Sequence, residues 1–282
     1  MEPHHLNDAP ARPELGAMLR HWRGLRGTSQ LELSIHTGFS QRHISFIESG
    51  RSSPSRQTLM DIAQALSVPL RDRNSLLLAA GYAPVYSEAP WNAAEMQGVT
   101  RALERMLRQH EPFPAFVMDR YWNVLVTNEA APRFFNCFID MTKRTGPRNM
   151  LHLMFDPDGM RPHVADWDQV APTLIQRIGR ESVGGVKDPK TQELINALLS
   201  YQGINAEWKT PKAVPTTPML PVIPLGFNHD GATLRYFSMV TTVGTPQTIA
   251  AQELRIECLF PVDETTEALH VKLMSRVPAQ NG

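Results

Sequence analysis

The chain has 282 residues, 42% of them hydrophobic, with 28 basic and 28 acidic side chains giving a formal net charge of zero. That supplies apolar material for a substantial core, and the length predicts two domains of ordinary size. No apolar run approaches a membrane span, and Met1-Glu2-Pro3-His4-His5 lacks the basic-then-apolar pattern of a secretory signal, so a soluble chain without membrane contact is expected.

In chain order, residues 1–13 read as a flexible N-terminus and residues 14–81 as a run of short helices. Leu15, Leu19 and Trp22 recur at helical spacing, and Gly27 ends that first helix. Ser29-Gln30-Leu31-Glu32 is a capping box: the serine oxygen takes an orphan amide while the glutamate reaches back. Gly38 supplies the stop of the second helix, and Ser40 caps a third. A fourth helix is predicted from about Ser55 to Leu66 and a fifth from Arg71 to Ala80, closed by Gly81. Residues 83–91, with Pro84, Pro90 and no periodicity, read as a linker between a head of residues 14–82 and a second domain of residues 92–275. Residues 276–282 read as a tail.

The second domain opens with a helix over Asn92 to Gln109. Phe116-Val117-Met118 and Asn123 to Thr127 are strand-like around the turn-like Asp119-Arg120. Helical patterns follow at Asn128 to Phe138, Trp167 to Glu181 and Thr191 to Gln202. Three strands close the chain, at Leu220 to Phe227, Thr233 to Val243 and Leu254 to Phe260, the first two joined by the hairpin signal Asn228-His229-Asp230-Gly231. Two strands, helices, then three strands predict an α+β domain with an antiparallel sheet.

The zero net charge hides an asymmetry. From Arg12 to Arg56 the chain carries seven arginines against Glu14, Glu32 and Glu48, whereas Glu253, Glu257, Asp263, Glu264 and Glu267 gather near the C-terminus. An arginine-only head fits a polyanion partner, and equally a solvated face. The two helices joined by Gly38-Phe39-Ser40 form a helix-turn-helix, whose second helix can lie in a DNA major groove. At about 100° per residue, Ile44, Ile47 and Glu48 fall on one side of that helix. Arg42 and Phe46 fall opposite, with Ser45 and Gln41 beside them. Gln41, Arg42, Ser45 and Phe46 are therefore the candidate base readers: arginine matches guanine, glutamine adenine, and an apolar group the thymine methyl. Phe46 has a second reading, as a side chain folded against a neighbouring helix under arginine stems. Gln30, His43, Arg51 and Arg56 are the candidate phosphate contacts.

Ser29-Gln30, Gly38, Ser40, Ile44-Ser45, Ile47-Glu48-Ser49-Gly50-Arg51, Pro54-Ser55 and Leu66 together resemble the XRE, or Cro/repressor-like, DNA-binding domain over about residues 14–81. The resemblance implies an all-α five-helix head, a double-stranded DNA operator bound by a homodimer, and a buried ion pair between Glu48 and Arg23. Arg42 to Arg51, Arg73 to Pro84, Pro114 to Asp119, Asn128 to Ala131 and Leu254 to Asp263 resemble the MmyB-like subgroup of these regulators. That resemblance implies a PAS-like second domain holding a fatty-acid-like ligand, a small apolar effector rather than a fixed cofactor. The middle, roughly residues 140–217, resembles the subgroup more loosely.

For such a ligand the candidate apolar wall is Phe116, Met118, Trp122, Phe134, Phe138, Phe155, Phe237 and Met239, with Asn128, His152 and Arg235 as candidate anchors for a carboxylate head. The bland alternative makes these aromatics ordinary core. The histidines lack zinc-site spacing, and His110-Glu111 fails as a zincin motif because Ala115 stands where a second histidine belongs. Asp156-Pro157-Asp158-Gly159 reads as a turn, its two carboxylates too few for a calcium loop. Cys137 and Cys258, the only cysteines, lie far apart and fit packing roles in a reducing cytoplasmic setting. Two rival functions remain. In one, the second domain is a ligand-free dimerisation module. In the other, the chain is a self-cleaving repressor cut near Ala80-Gly81 by Ser238; the strand pattern around Ser238 and the lack of an evident lysine base speak against it, and no catalytic residue is expected.

Overall fold

The computed structural model describes residues 13–182, 188–205, 208 and 224–275. They divide into two compact units: one runs up to Ala89 and also takes Pro246–Gln252, and the other comprises Pro90–Thr245 and the chain from Glu253 onward. The expected N-terminal segment before residue 13, the tail after residue 275 and the first four residues of the Leu220–Phe227 strand lie outside the described residues.

In the first unit, five helices form from short, strongly punctuated segments: α1 (Pro13–Leu25), α2 (Gln30–Thr37), α3 (Gln41–Glu48), α4 (Arg56–Ala65) and α5 (Leu70–Ala79). At the start of α2 the Glu32 amide donates to Ser29 Oγ at 3.1 Å and the Ser29 amide to Glu32 Oε2 at 2.7 Å, which satisfies two orphan donors reciprocally. Gly38 adopts φ 75°, a left-handed stop that a side chain would strain, and Ser40 then accepts from the His43 amide to begin α3. Leu15, Leu19, Trp22, Leu33, Ile44, Ile47, Leu59, Ile62 and Leu66 close the core. Each contributes roughly 1.5–3 kcal/mol by leaving water. Helix α1 meets α3 closely at Gly16, where an added Cβ would collide with the Glu48 carbonyl.

Two further devices complete this unit. The buried Asn74 accepts from the amides of Val85 and Tyr86 and donates to the Tyr86 carbonyl, fastening part of the segment read as a linker. A short helix, α11 (Ile249–Glu253), supplies Gln252, whose side-chain oxygen accepts from the Leu70 amide at 2.8 Å. Helix α5 has no side-chain cap of its own from Pro69, so Gln252 takes that place.

The second unit is an α+β domain. After α6 (Gln97–Gln109) come strands β1 (Ala115–Met118) and β2 (Val124–Thr127), then helices α7 (Ala130–Asn136), α8 (Met150–Phe155), α9 (Trp167–Arg180) and α10 (Pro189–Leu199). Strands β3 (Leu225–His229), β4 (Ala232–Thr242) and β5 (Arg255–Pro261) and helix α12 (Glu264–Ser275) follow. All pairings are antiparallel, in the order β2-β1-β5-β4-β3, so the last strand lies between the first and fourth. This is the expected PAS-like architecture with its antiparallel sheet. Asp230 and Gly231, with φ 46° and 77°, make the two-residue turn between β3 and β4. Phe134 anchors the core, its ring against Phe135, Phe138, Phe227 and Tyr236. His270 of α12 is wholly buried between the Tyr236 hydroxyl and the Pro112 carbonyl, each at 2.8 Å. The carbonyl only accepts, so Nε2 donates to it; burial favours the neutral imidazole, in which Nδ1 accepts from the tyrosine hydroxyl. Burial accordingly depresses its pKa.

Candidate functional site

Helix α3 presents two unlike sides. Ile44 and Ile47 are each 1% exposed and Glu48 is buried beside them, whereas Gln41 and Arg42 are exposed and Ser45 and Phe46 half-buried. Glu48 is held by three donors: Arg23 Nε to Oε1 at 2.7 Å, Arg23 Nη2 to Oε2 at 3.0 Å, and Gln30 Nε2 to Oε2 at 2.8 Å. Arg20 also donates to the Glu48 carbonyl. Donating hydrogen bonds to Glu48 raises the Arg23 pKa above its ordinary value. The bidentate pair fixes the rotation of α3 about its axis, since turning the helix would pull a buried carboxylate off its donors.

On the opposite side the guanidinium of Arg42 lies 5.1 Å and that of Arg51 5.7 Å from the centre of the Phe46 ring. The Phe46 carbonyl also accepts from the amides of Arg51 and Ser52, tying the turn after α3 to the same residue. The packing reading of Phe46 expects arginine cover, and it is present as two guanidinium groups gathered at the ring, each contact worth roughly 0.5–1 kcal/mol at an exposed site. Gln30, expected on a phosphate, has its amide nitrogen turned onto Glu48 instead, because that carboxylate has an acceptor position left after Arg23 is seated. His43 packs edge-on against Phe39, and Arg56 is exposed at the first turn of α4.

In the second unit a cavity of about 530 Å³ lies between the sheet and helices α8 and α9. Phe116, Trp122, Met150, Met154 and Leu174 make much of its apolar wall, and Arg177, Arg180, Glu181, Ser238 and Glu257 supply polar groups. Trp122 is placed there by a tight β1–β2 turn in which it takes φ 67°, unusual for so bulky a residue. The Asp119 carboxylate stabilises that turn by accepting from the amides of Tyr121 and Asn123. Arg177 lies over the Trp122 ring at 4.6 Å, donates to Glu257 Oε1 at 2.9 Å and pairs with Glu181. Arg255 completes the cluster through Glu181 Oε2 at 2.9 Å. Burial opposes the charge on Arg177, but the two carboxylates outweigh it and hold its pKa above the ordinary value. For Arg255 burial wins over the attraction of Glu181, and its pKa is lowered.

Of the residues singled out for a ligand, the structure brings Phe116, Trp122 and Phe237 to this cavity. The ring of Phe237 stacks on Phe260. Met118, Phe134 and Phe155 belong to the close-packed core, and Phe138 packs at its edge on Phe227 and His229. Met239 and Arg235 are exposed. Asn128 is consumed structurally: it accepts from the Ala115 and Ala131 amides and donates to the Phe113 carbonyl. His152 is bonded to the Tyr201 hydroxyl. None of these eight lines the cavity.

The sequence reading missed Arg177, Glu181 and Glu257. Arg177 and Glu181 stand four apart on a predicted helix, and Arg255 and Glu257 alternate with Ile256 and Cys258, a pattern that ordinarily marks a solvated strand face. Ser238, the nucleophile of the rival cleavage reading, lies inside β4 opposite Leu259, with its oxygen 3.5 Å from Arg177 Nη1. Among the described residues, no group of three or more His, Cys, Asp or Glu side chains could hold a metal ion, and no helix is long and apolar enough to cross a membrane.

A helix-turn-helix head followed by an α+β domain with a cavity beside its sheet is the build of a DNA-binding regulator with a ligand-binding domain. Residues 19–72 match the helix-turn-helix family model, and residues 99–273 match that of the MmyB-like transcription regulator ligand binding domain. The latter spans more than half of the chain, which therefore belongs to the MmyB-like transcription regulators. A relative from Sinorhizobium fredii (strain NBRC 101917 / NGR234), described as an uncharacterized HTH-type transcriptional regulator y4dJ, is 39% identical over 57 residues, 20% of this chain and 74% of that protein. The chain is a DNA-binding helix-turn-helix transcriptional regulator with a ligand-binding domain.

Proposed function

We propose that the protein binds a two-fold operator as a homodimer, with α3 of each copy in the major groove. Arg42 and Gln41 read base edges, Ser45 makes a permissive contact, and His43, Arg51 and Arg56 hold phosphates. The observation that carries this reading is the exposed Arg42–Phe46–Arg51 face directly behind the Glu48 lock. In this arrangement Phe46 holds the two arginines against its ring and ready for DNA, so less side-chain freedom is lost on binding. Gln30 supports the reading helix through Glu48 rather than contacting DNA.

The second domain takes a small apolar molecule with a polar end, fatty-acid-like in shape, in the cavity beside Arg177. Its volume falls within the range of small-molecule sites. Ligand then alters operator affinity by favouring one arrangement of the two heads. Selection of operators from random DNA, followed by footprinting, tests the DNA half. Arg42→Ala is expected to weaken the selected site by about 1–3 kcal/mol and to relax one base position. An unchanged site preference would remove Arg42 from base reading. Native mass spectrometry with organic extraction of the purified chain tests the other half. Absence of any co-purifying or added apolar molecule, with no shift in thermal stability, would leave the second domain as a dimerisation module.

A further inference from the structure

The polar end of the cavity has an uneven hydrogen-bond inventory. Glu257 is 7% exposed and lines the cavity, yet only its Oε1 is bonded, to Arg177. Its Oε2 is buried and has no hydrogen-bond partner among the described residues. A buried carboxylate oxygen only accepts, and leaving it without a donor is unfavourable. The arginines beside it are engaged elsewhere as well: Arg177 divides itself between Glu257 and Glu181, and Arg255 is bonded to Glu181.

Charge points to the same oxygen. Arg177 and Arg255 balance Glu181 and Glu257, so the cluster is neutral as it stands. An entering carboxylate would find no uncommitted cation within the cluster, and would have to displace one of the two glutamates from its arginine. An entering ammonium would stand beside Arg177 with its own charge desolvated. A neutral donor meets neither objection.

We propose that the ligand carries a hydroxyl group on an apolar body and donates it to Glu257 Oε2, with the body against Phe116, Trp122, Met150 and Met154. The inference rests on the reading of this cavity as an apolar-ligand site and assigns the chemistry of the ligand's polar end. A saturated fatty acid, ionised at neutral pH, lacks the donor that this position calls for. Its carboxylate would turn instead toward Arg180, which is exposed on α9 at the cavity's edge.

Calorimetric titration of the full chain at about pH 8, where a carboxylic acid is ionised, separates the cases. Three probes share a ten-carbon chain: 1-decanol, its methyl ether 1-methoxydecane, and decanoate. The alcohol is expected to bind about tenfold or more tightly than the ether, which is one methyl group longer and keeps the acceptor but has no donor. Glu257→Gln turns an amide toward the open position and is expected to reduce that preference at least tenfold or reverse it. The comparison of the three probes on the unaltered chain does not depend on the variant folding. Equal binding of alcohol and ether, or a decanoate that outcompetes the alcohol and loses affinity in Arg180→Ala, overturns the hydroxyl assignment while leaving the apolar site standing. Binding of none of the three removes the apolar-ligand reading itself, and the hydroxyl assignment with it.

Discussion

Glu48 in the head and Glu257 in the second domain are both carboxylates sunk among apolar residues, 4% and 7% exposed, and each faces an arginine. Around Glu48 both oxygens are bonded, by Arg23 twice and by Gln30 once. Around Glu257 one oxygen is bonded and the other is not. The difference separates two uses of the same chemistry. A saturated buried carboxylate fixes geometry, here the rotation of α3, and offers nothing to a partner. A half-saturated one lines a cavity and leaves an acceptor to be met from outside.

The hardest blow to this contrast falls on Arg23. Arg23→Ala leaves Glu48 buried with only Gln30, and should destabilise the head by about 3 kcal/mol, the low end for a broken buried pair because Arg23 is 20% exposed. Amide hydrogen exchange in α1 and α3 reads this unit by itself; unchanged protection there would end the idea of a lock. A gentler and more direct comparison places the same substitution at both sites. Glu48→Gln sets an amide NH2 against committed donors and should cost about 2 kcal/mol, whereas Glu257→Gln keeps one oxygen for Arg177 and should cost about 1 kcal/mol or less. Equal losses in denaturant unfolding would dissolve the distinction.

Smaller effects sharpen the picture on each side. Phe46→Leu keeps an apolar body but removes the ring face from Arg42 and Arg51, and should weaken operator binding by roughly 0.5–1 kcal/mol. A change of site preference confined to one thymine would instead make Phe46 a base reader. In the second domain, His270 is neutral and buried, with its pKa below the ordinary 6.5. The unfolded chain therefore takes up a proton before the folded domain does. Stability from this group is intact above about pH 6.5 and declines as pH falls below it. Thermal unfolding across that range should show the decline, and His270→Gln should flatten it.

Much of the head was legible because its helices are punctuated by residues with one plain job: Ser29 with Glu32, Gly38, Ser40 and Ser55. The strands and their order of appearance were legible for a similar reason, from alternation and the hairpin signal Asn228-His229-Asp230-Gly231, of which the first two residues prolong β3. Helices α8 and α12 were not. Helix α8 is six residues buried on nearly every side, so Met150 to Phe155 show no periodicity. Helix α12 buries Thr266 and His270 on its inner face, which erases the apolar stripe by which a helix is recognised. The cavity's polar end was hidden by the same inversion. Arg255 and Glu257 look like the wet side of a strand, and only the arrival of Arg177 and Glu181 from a distant helix turns that side inward. Phe46 was legible as anomalous, but its partners Arg42 and Arg51 come together only when the turn after α3 closes.

The short helix that caps α5 bears on how this regulator can be taken apart. Residues 246–252 lie between β4 and β5 in the chain yet group with the head, so the polypeptide passes between the two units three times. A head joined by a single tether could be exchanged among regulators like a cassette. Here a fragment ending at Ala89 loses the buried Ile249 and the acceptor of the Leu70 amide, and the start of α5 is left to fray. A chimera that transplants DNA preference from another member must therefore carry two stretches of chain, the helices and the returning segment.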